Sequence, residues 1–216
     1  MVLGYYIMRR ERQVMQIAFD PAVKAKDFEL LQKIRAGSQE AFTQLVERYK
    51  NRLFNIVVRM IPTREEAEDV VQETFLRVFQ HRNNFDPKYC FSTWIYTIAL
   101  NLAKNQLRRK KKVKFLELFD LEDTSEEPAS EPARMALGPW IEKEIEKLPA
   151  KYKEAFLLRE VDELPYEEIA EITGVPTGTV KSRVNRARMI LAENLRPKKE
   201  KIYALSRRSP NFGQVF

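Results

Sequence analysis

PYEEIAEITGVPTGTVKSRVNRARMIL, running from Pro165 to Leu191, is the stretch on which the reading of this chain turns. Ile169 and Ala170 fall on the inner face of a first short helix. Gly174 follows, where a residue without Cβ takes a positive φ at little cost. Thr177 then opens a second helix at the separation of a helix-turn-helix. On a helical wheel Val180, Val184, Ala187 and Leu191 share one narrow sector. Lys181, Ser182, Asn185, Arg186 and Met189 lie opposite, with Arg183 and Arg188 on the flanks. A recognition helix needs a stripe that seats it, a polar face for base edges and cationic edges for phosphates. A basic amphipathic helix in an ordinary bundle shares the stripe. The glycine turn, the short helix before it and the absence of acid from Thr177 to Ala192 favour DNA.

Outward from this motif the chain stays helical. Upstream, Trp140, Ile141, Ile145 and Leu148 form one segment closed by Pro149, and Tyr152, Ala155, Phe156 and Leu157 form the next. With the motif they make an all-helical unit. Downstream, the tail from Arg196 carries six basic residues against one acidic, with Pro197, Pro210 and Gly213, and reads as mostly disordered.

On the N-terminal side, Phe42, Leu45, Val46, Tyr49, Leu53, Val57 and Met60 keep a three-four rhythm behind Ser38, a plausible N-cap. After Thr63 the rhythm returns in Ala67, Val70, Val71, Phe75, Val78 and Phe79. A third helix begins near Ser92, with Trp94, Ile95, Ile98 and Leu102 on one face, and a short helix from about Asp27 to Arg35 precedes all three. Strand signals are nearly absent, and the chain has only six glycines. The expected fold class is all-α: two small helical domains joined by a flexible acidic linker.

Charge marks the boundary. From Lys104 to Lys114 there are seven basic residues and no acid, and from Glu117 to Glu131 seven acids and no base. The whole 216-residue chain carries +7, which points to a polyanion. Just before the cationic helix, RNNFDPKYCF (Arg82–Phe91) gathers Asn83, Asn84, Phe85, Lys88 and Tyr89. Rings that stack and amides that read a Watson–Crick edge suit an unstacked base. The plainer alternative, that the aromatics plug the core, is favoured for Phe91 and Trp94. Asn101, Lys104, Asn105 and Arg108 follow along the polar side of the cationic helix. Glu65, Glu66, Glu68, Asp69, Gln72 and Glu73 crowd the start of the preceding one. Helix-dipole complementarity accounts for the first of these acids. The Asp69, Gln72 and Glu73 face would repel DNA and suits a protein.

Other classes fall away. His81 and Cys90 are the sole histidine and cysteine, so an internal disulfide and an ordinary Cys/His zinc site are excluded. No phosphate-binding glycine loop or nucleophile–base pair appears. No cofactor is implied, and the protein is read as no enzyme. No apolar run approaches the ~18–20 residues of a membrane span. The N-terminus lacks a secretory signal, so the cytoplasm is the expected compartment.

AEDVVQETFLRVF (Ala67–Phe79), FSTWIYTIALNLAKNQLRR (Phe91–Arg109) and LPAKYKEAFLLREVDELPYEEIAEITGVPTGTVKSRVNRAR (Leu148–Arg188) together resemble the extracytoplasmic-function (group IV) sigma factors of bacterial RNA polymerase. The resemblance spans roughly Asp27 to Leu195. It implies a leader over 1–26, a region 2-like domain over 27–112, the linker over 113–137, a region 4-like domain over 138–196 and the tail over 197–216. It implies that Asp69, Gln72 and Glu73 dock on core RNA polymerase. Asn83, Asn84, Phe85 and Lys88 would capture a flipped base of the melted minus-ten strand, and Asn101, Lys104, Asn105, Arg108 and Arg109 would track that strand. Lys181, Ser182, Asn185 and Arg186 would read the minus-35 duplex while Arg183 and Arg188 hold phosphates. The acidic linker would thread the channel meant for nascent RNA, and an anti-sigma factor is the expected regulator. The long leader and basic tail depart from the usual pattern. The main rival is a stand-alone helix-turn-helix transcription regulator, which would bind promoter duplex without polymerase.

Overall fold

The computed structural model describes residues 21–117 and 137–206, with side chains over 23–110 and 140–197. Among these residues every regular element is helical. The first half comprises α1 (Pro21–Arg35), α2 (Gln39–Met60), α3 (Arg64–Gln80), a 3-10 turn at Arg82–Asn84 and α4 (Phe91–Glu117). The second comprises α5 (Leu137–Glu146), α6 (Ala150–Glu160), α7 (Tyr166–Thr173) and α8 (Thr177–Ser206).

Local chemistry sets these boundaries. Gly37, at φ 95°, turns the chain between α1 and α2. The Ser38 hydroxyl then accepts from the Ala41 N–H at 3.2 Å, satisfying one of the free donors at the start of α2. α1 begins at Pro21, earlier than the expected Asp27, with proline at the one helical position where its missing N–H is harmless. Asp27 therefore lies inside the helix. It is buried and accepts from Arg48 and Tyr49 of α2, which ties α1 down. Burial raises its carboxyl above the ordinary range, and those two donors offset part of the rise.

The stripes pack largely as their spacing requires, but Phe42 and Val46 of α2 are half-buried, and on α4 the buried face is turned so that expected Trp94, Ile98 and Leu102 are half-buried too. α2 buries Leu45, Tyr49, Leu53, Ile56 and Val57, α3 buries Ala67, Val70, Phe75 and Val78, and α4 buries Ile95, Tyr96, Ala99 and Ala103. Phe79 departs from the expected rhythm at 40% exposure. One residue beyond Val78, it is carried to the rim, edge-on to Phe42 at 5.2 Å with the Arg82 guanidinium 4.4 Å over its ring.

In the second half, Val180, Val184, Ala187 and Leu191 are fully buried and lay α8 across α6 and α7. α8 continues through Pro197 to Ser206, so residues 197–206 are helical where disorder was expected. Charge density suggested a loose tail, but Lys, Glu, Ala and Leu are strong helix formers, and they carry the helix past a proline that lacks one backbone donor. α4 likewise runs to Glu117, into the span expected for the linker. The leader before residue 21, the linker over 118–136 and the tail over 207–216 lie outside the described residues. α4 packs along α7, and α2 packs against α5 and α6, so the halves share one hydrophobic cluster.

Candidate nucleic-acid interface

The helix-turn-helix is built by its turn. Gly174 sits at φ 68° and its N–H donates to the Ala170 carbonyl at 2.9 Å, ending α7. Pro176 and Thr177 start α8, and the buried valine stripe fixes its rotation. Lys181, Ser182, Asn185 and Arg186 are then exposed on one face beside Met189, which is 60% exposed. Arg183 is half-buried, and Arg188 donates to Glu160 of α6. The Tyr166 ring has the Arg159 guanidinium 4.7 Å and the Lys181 ammonium 5.6 Å from its centre.

The second cationic surface belongs to the first half. In the turn after α3, Asn83, Asn84 and Lys88 are exposed. Phe85 is buried: its ring packs 5.3 Å from Trp94 and 6.0 Å from Phe91. The freely presented ring is Tyr89, at 58% exposure. A cleft of about 350 Å³ opens between Phe28 of α1 and the 85–91 loop, with Lys24 at its edge. Along α4, Asn101, Asn105, Arg108 and Arg109 are exposed. Lys104 is half-buried in an ion pair with Glu154 of α6 at 3.0 Å.

Arg35 was not foreseen. From the end of α1 its guanidinium donates to the carbonyls of Arg82 at 3.0 Å, Asn83 at 3.4 Å and Phe85 at 2.8 Å. A planar fork satisfies three acceptors of an irregular turn and leaves the Asn83 and Asn84 amides outward. Only the basic end of the α1 sequence hinted at it.

On α3, Asp69 and Gln72 are exposed and Glu73 is half-buried in a bond from Arg77 at 2.7 Å. Leu76, 49% exposed, continues the same face one turn later. Among the described residues no cluster of His, Cys, Asp or Glu could hold a metal ion, and no helix is long and apolar enough to cross a membrane.

These features define a class: an all-helical chain with a helix-turn-helix at one end and a cationic, amide-bearing helix and loop at the other. Comparison with known proteins gives the family. The Sigma-70 region 2 model matches residues 45–113 and the Sigma-70, region 4 model matches residues 139–191. The ECF RNA polymerase sigma factor SigW of Bacillus subtilis is 35% identical over 180 residues, covering 77% of this chain and 95% of that one. The RNA polymerase sigma-H factor of Pseudomonas aeruginosa is 33% identical over 184 residues, covering 80% and 95%. Among solved structures, the sigma factor RpoE in complex with the anti-sigma factor NepR from Bartonella quintana superposes with a TM-score of 0.60 at 28% identity, covering 72% of this chain and 96% of that one. The chain belongs to the extracytoplasmic-function family of RNA polymerase sigma factors. Its function is that of an alternative sigma factor in transcription initiation, and the stand-alone regulator is not favoured.

Proposed function

We propose that this chain acts in the cytoplasm, without catalysis of its own, by binding core RNA polymerase and reading both promoter elements. The observation that carries this reading is the exposed face of α8, where Lys181, Ser182, Asn185 and Arg186 stand together over a fully buried stripe. That face reads the minus-35 duplex in the major groove, and Arg183 and Arg188 hold the flanking phosphates. Asn83, Asn84 and Lys88 capture a base of the melted non-template strand at the minus-ten element. Phe85, packed beneath them, supports the loop. Asn101, Lys104, Asn105, Arg108 and Arg109 follow the strand. Asp69, Gln72 and Glu73, with Leu76, dock on the polymerase.

The working units are 27–112 and 138–196, joined by the acidic linker. Holding two weak readers on one enzyme raises the effective concentration of each at its element. An anti-sigma factor is the regulator, by likeness to the RpoE–NepR complex. Run-off transcription with core polymerase, with and without the protein, on the promoter upstream of its own gene tests the reading. A protein-dependent transcript is expected. Tight footprinting of a palindrome by the free chain, with no co-elution with core enzyme, would overturn it.

A further inference from the structure

The arginines of α8 are not all held alike. Arg186 is exposed, and no hydrogen bond or ion pair engages it among the described residues. Arg188, two positions on, donates from Nη2 at 2.5 Å and from Nε at 3.2 Å to one oxygen, Oε1 of Glu160. The Arg188 side chain is 44% exposed and that of Glu160 only 18%. Glu160 is the last residue of α6, where the helix dipole disfavours a carboxylate, so α6 gains nothing locally from it. Its partner on α8 is what it serves.

The surroundings of this pair are cationic. Lys181, Asn185 and Arg188 fall on one line along α8, four and three residues apart. The Tyr166 ring that borders this line also carries Lys181 and Arg159 near its face. Burial works against the Arg188 charge, but Glu160, with a smaller part from Tyr166, outweighs it and holds the guanidinium above its ordinary range. A guanidinium has five N–H donors in one plane, and Glu160 takes two of them from one edge. The opposite edge, with both donors of Nη1, is left for a second acceptor.

We infer that Glu160 is a positioning residue for DNA: it fixes the Arg188 guanidinium at the border of the recognition face, set to take one backbone phosphate of the minus-35 duplex. The inference rests on the assignment of α8 to that duplex. Without Glu160, Arg188 keeps its charge but must be ordered on binding, and the neighbouring cations push it outward. Without Arg188, Glu160 is an uncompensated carboxylate beside the DNA backbone. One side chain therefore aids binding when its arginine is present and hinders it when the arginine is gone. Arg186 needs no such fixing, since a base edge rather than the fold directs it.

The test uses the full chain in complex with core polymerase, titrated with a duplex carrying the minus-35 element of the promoter upstream of its own gene. Glu160→Ala should weaken binding about three- to tenfold, the cost of ordering one long side chain at an interface. Glu160→Gln, which keeps an acceptor at the same reach, should recover part of the loss. In an Arg188→Ala background the sign should reverse, with Glu160→Ala tightening binding about twofold, the worth of one exposed charge contact. A merely structural role would weaken binding in both backgrounds, and a merely repulsive one would tighten it in both. Either result overturns the inference. If Arg188→Ala itself leaves the affinity unchanged, the phosphate assignment falls and this inference with it. A weakened Arg188→Ala complex without the reversal strikes the role of Glu160 alone.

Discussion

Removing the Asp162 side chain, which Arg52 of α2 grips with two bonds, probes the seam between the two halves at its deepest point. In Asp162→Ala the Arg52 guanidinium, 12% exposed, loses both bonds at once, and the Tyr96 hydroxyl loses its acceptor. Burial works against the Arg52 charge, yet Tyr96 and Asp162 outweigh it and hold the guanidinium above its ordinary range. The alanine variant keeps that burial penalty and loses the carboxylate that offsets it, because the buried Tyr96 phenol is neutral. Breaking a buried pair from one side costs about 3–5 kcal/mol when the stranded charge cannot reach water. Here it has an exit, because separating the halves hydrates Arg52, so the loss is capped by the free energy of closure. A loss of about 2–4 kcal/mol is expected, with the single urea transition splitting as the halves unfold independently. Replacing the whole junction by Arg52→Met, Asp162→Leu and Tyr96→Phe should recover most of the stability, since no charge is then buried. Urea denaturation followed by tryptophan fluorescence reads both quantities. A loss under about 1 kcal/mol with an unbroken single transition would mean that the pair behaves as an exposed one, and the reasoning would fail.

Folding stability should fall as pH rises from acid to neutral. Glu168 is pushed up from 4.5 to about 7, first by burial, with the Ser92 bond opposing. Arg52, Asp162, Glu171, Glu167, Lys24 and Lys88 are the charged groups around it. The folded protein therefore holds a proton there that the unfolded chain releases, so stability is highest below about pH 4.5 for this group and is lost as pH climbs to about 7, by at most about 3 kcal/mol. Glu168→Gln should flatten that slope in urea titrations from acid to neutral pH, and an unaltered slope would refute the assignment. Arg35→Ala should slow open-complex formation about tenfold by freeing three carbonyls of the capture loop, with minus-35 duplex affinity unchanged. Arg35→Lys should not rescue it, since an ammonium cannot serve the same fork, and permanganate reactivity of the melted strand reads the result. On α8, Arg186→Ala should cost about 1–3 kcal/mol at one base position and relax preference there, whereas Arg183→Ala should weaken all sequences alike and lower the salt slope by about one. Binding-site selection with the polymerase complex, repeated across salt, separates the two.

Residues that act through periodicity were legible in advance, and those that act through distance were not. Val180, Val184, Ala187 and Leu191 declare themselves because a helix brings every third and fourth residue to one side, and all four are fully buried. Gly174 declares itself because its backbone angle excludes most other residues. Glu168 does not. In the run Glu167, Glu168, Glu171 nothing local says which acid turns inward, because that depends on Ser92, 76 residues away. Arg52 and Asp162 are separated by 110 residues, and each alone reads as a surface charge. Phe85 went the other way: its loop composition suggested display, and the Phe91 and Trp94 rings beneath took it into the core.

That division has a functional consequence. The faces that would meet DNA or polymerase are each made by one helix or one turn, so they survive when the halves part. The seam is made between helices and relies on charged groups that water can serve nearly as well. An apolar seam of the same extent would lose about 25 cal/mol for every Å² exposed on opening, with nothing returned by hydration. Arg52, Asp162 and Glu168 each get hydration back. The apolar contacts around them, where α4 lies along α7, oppose that separation.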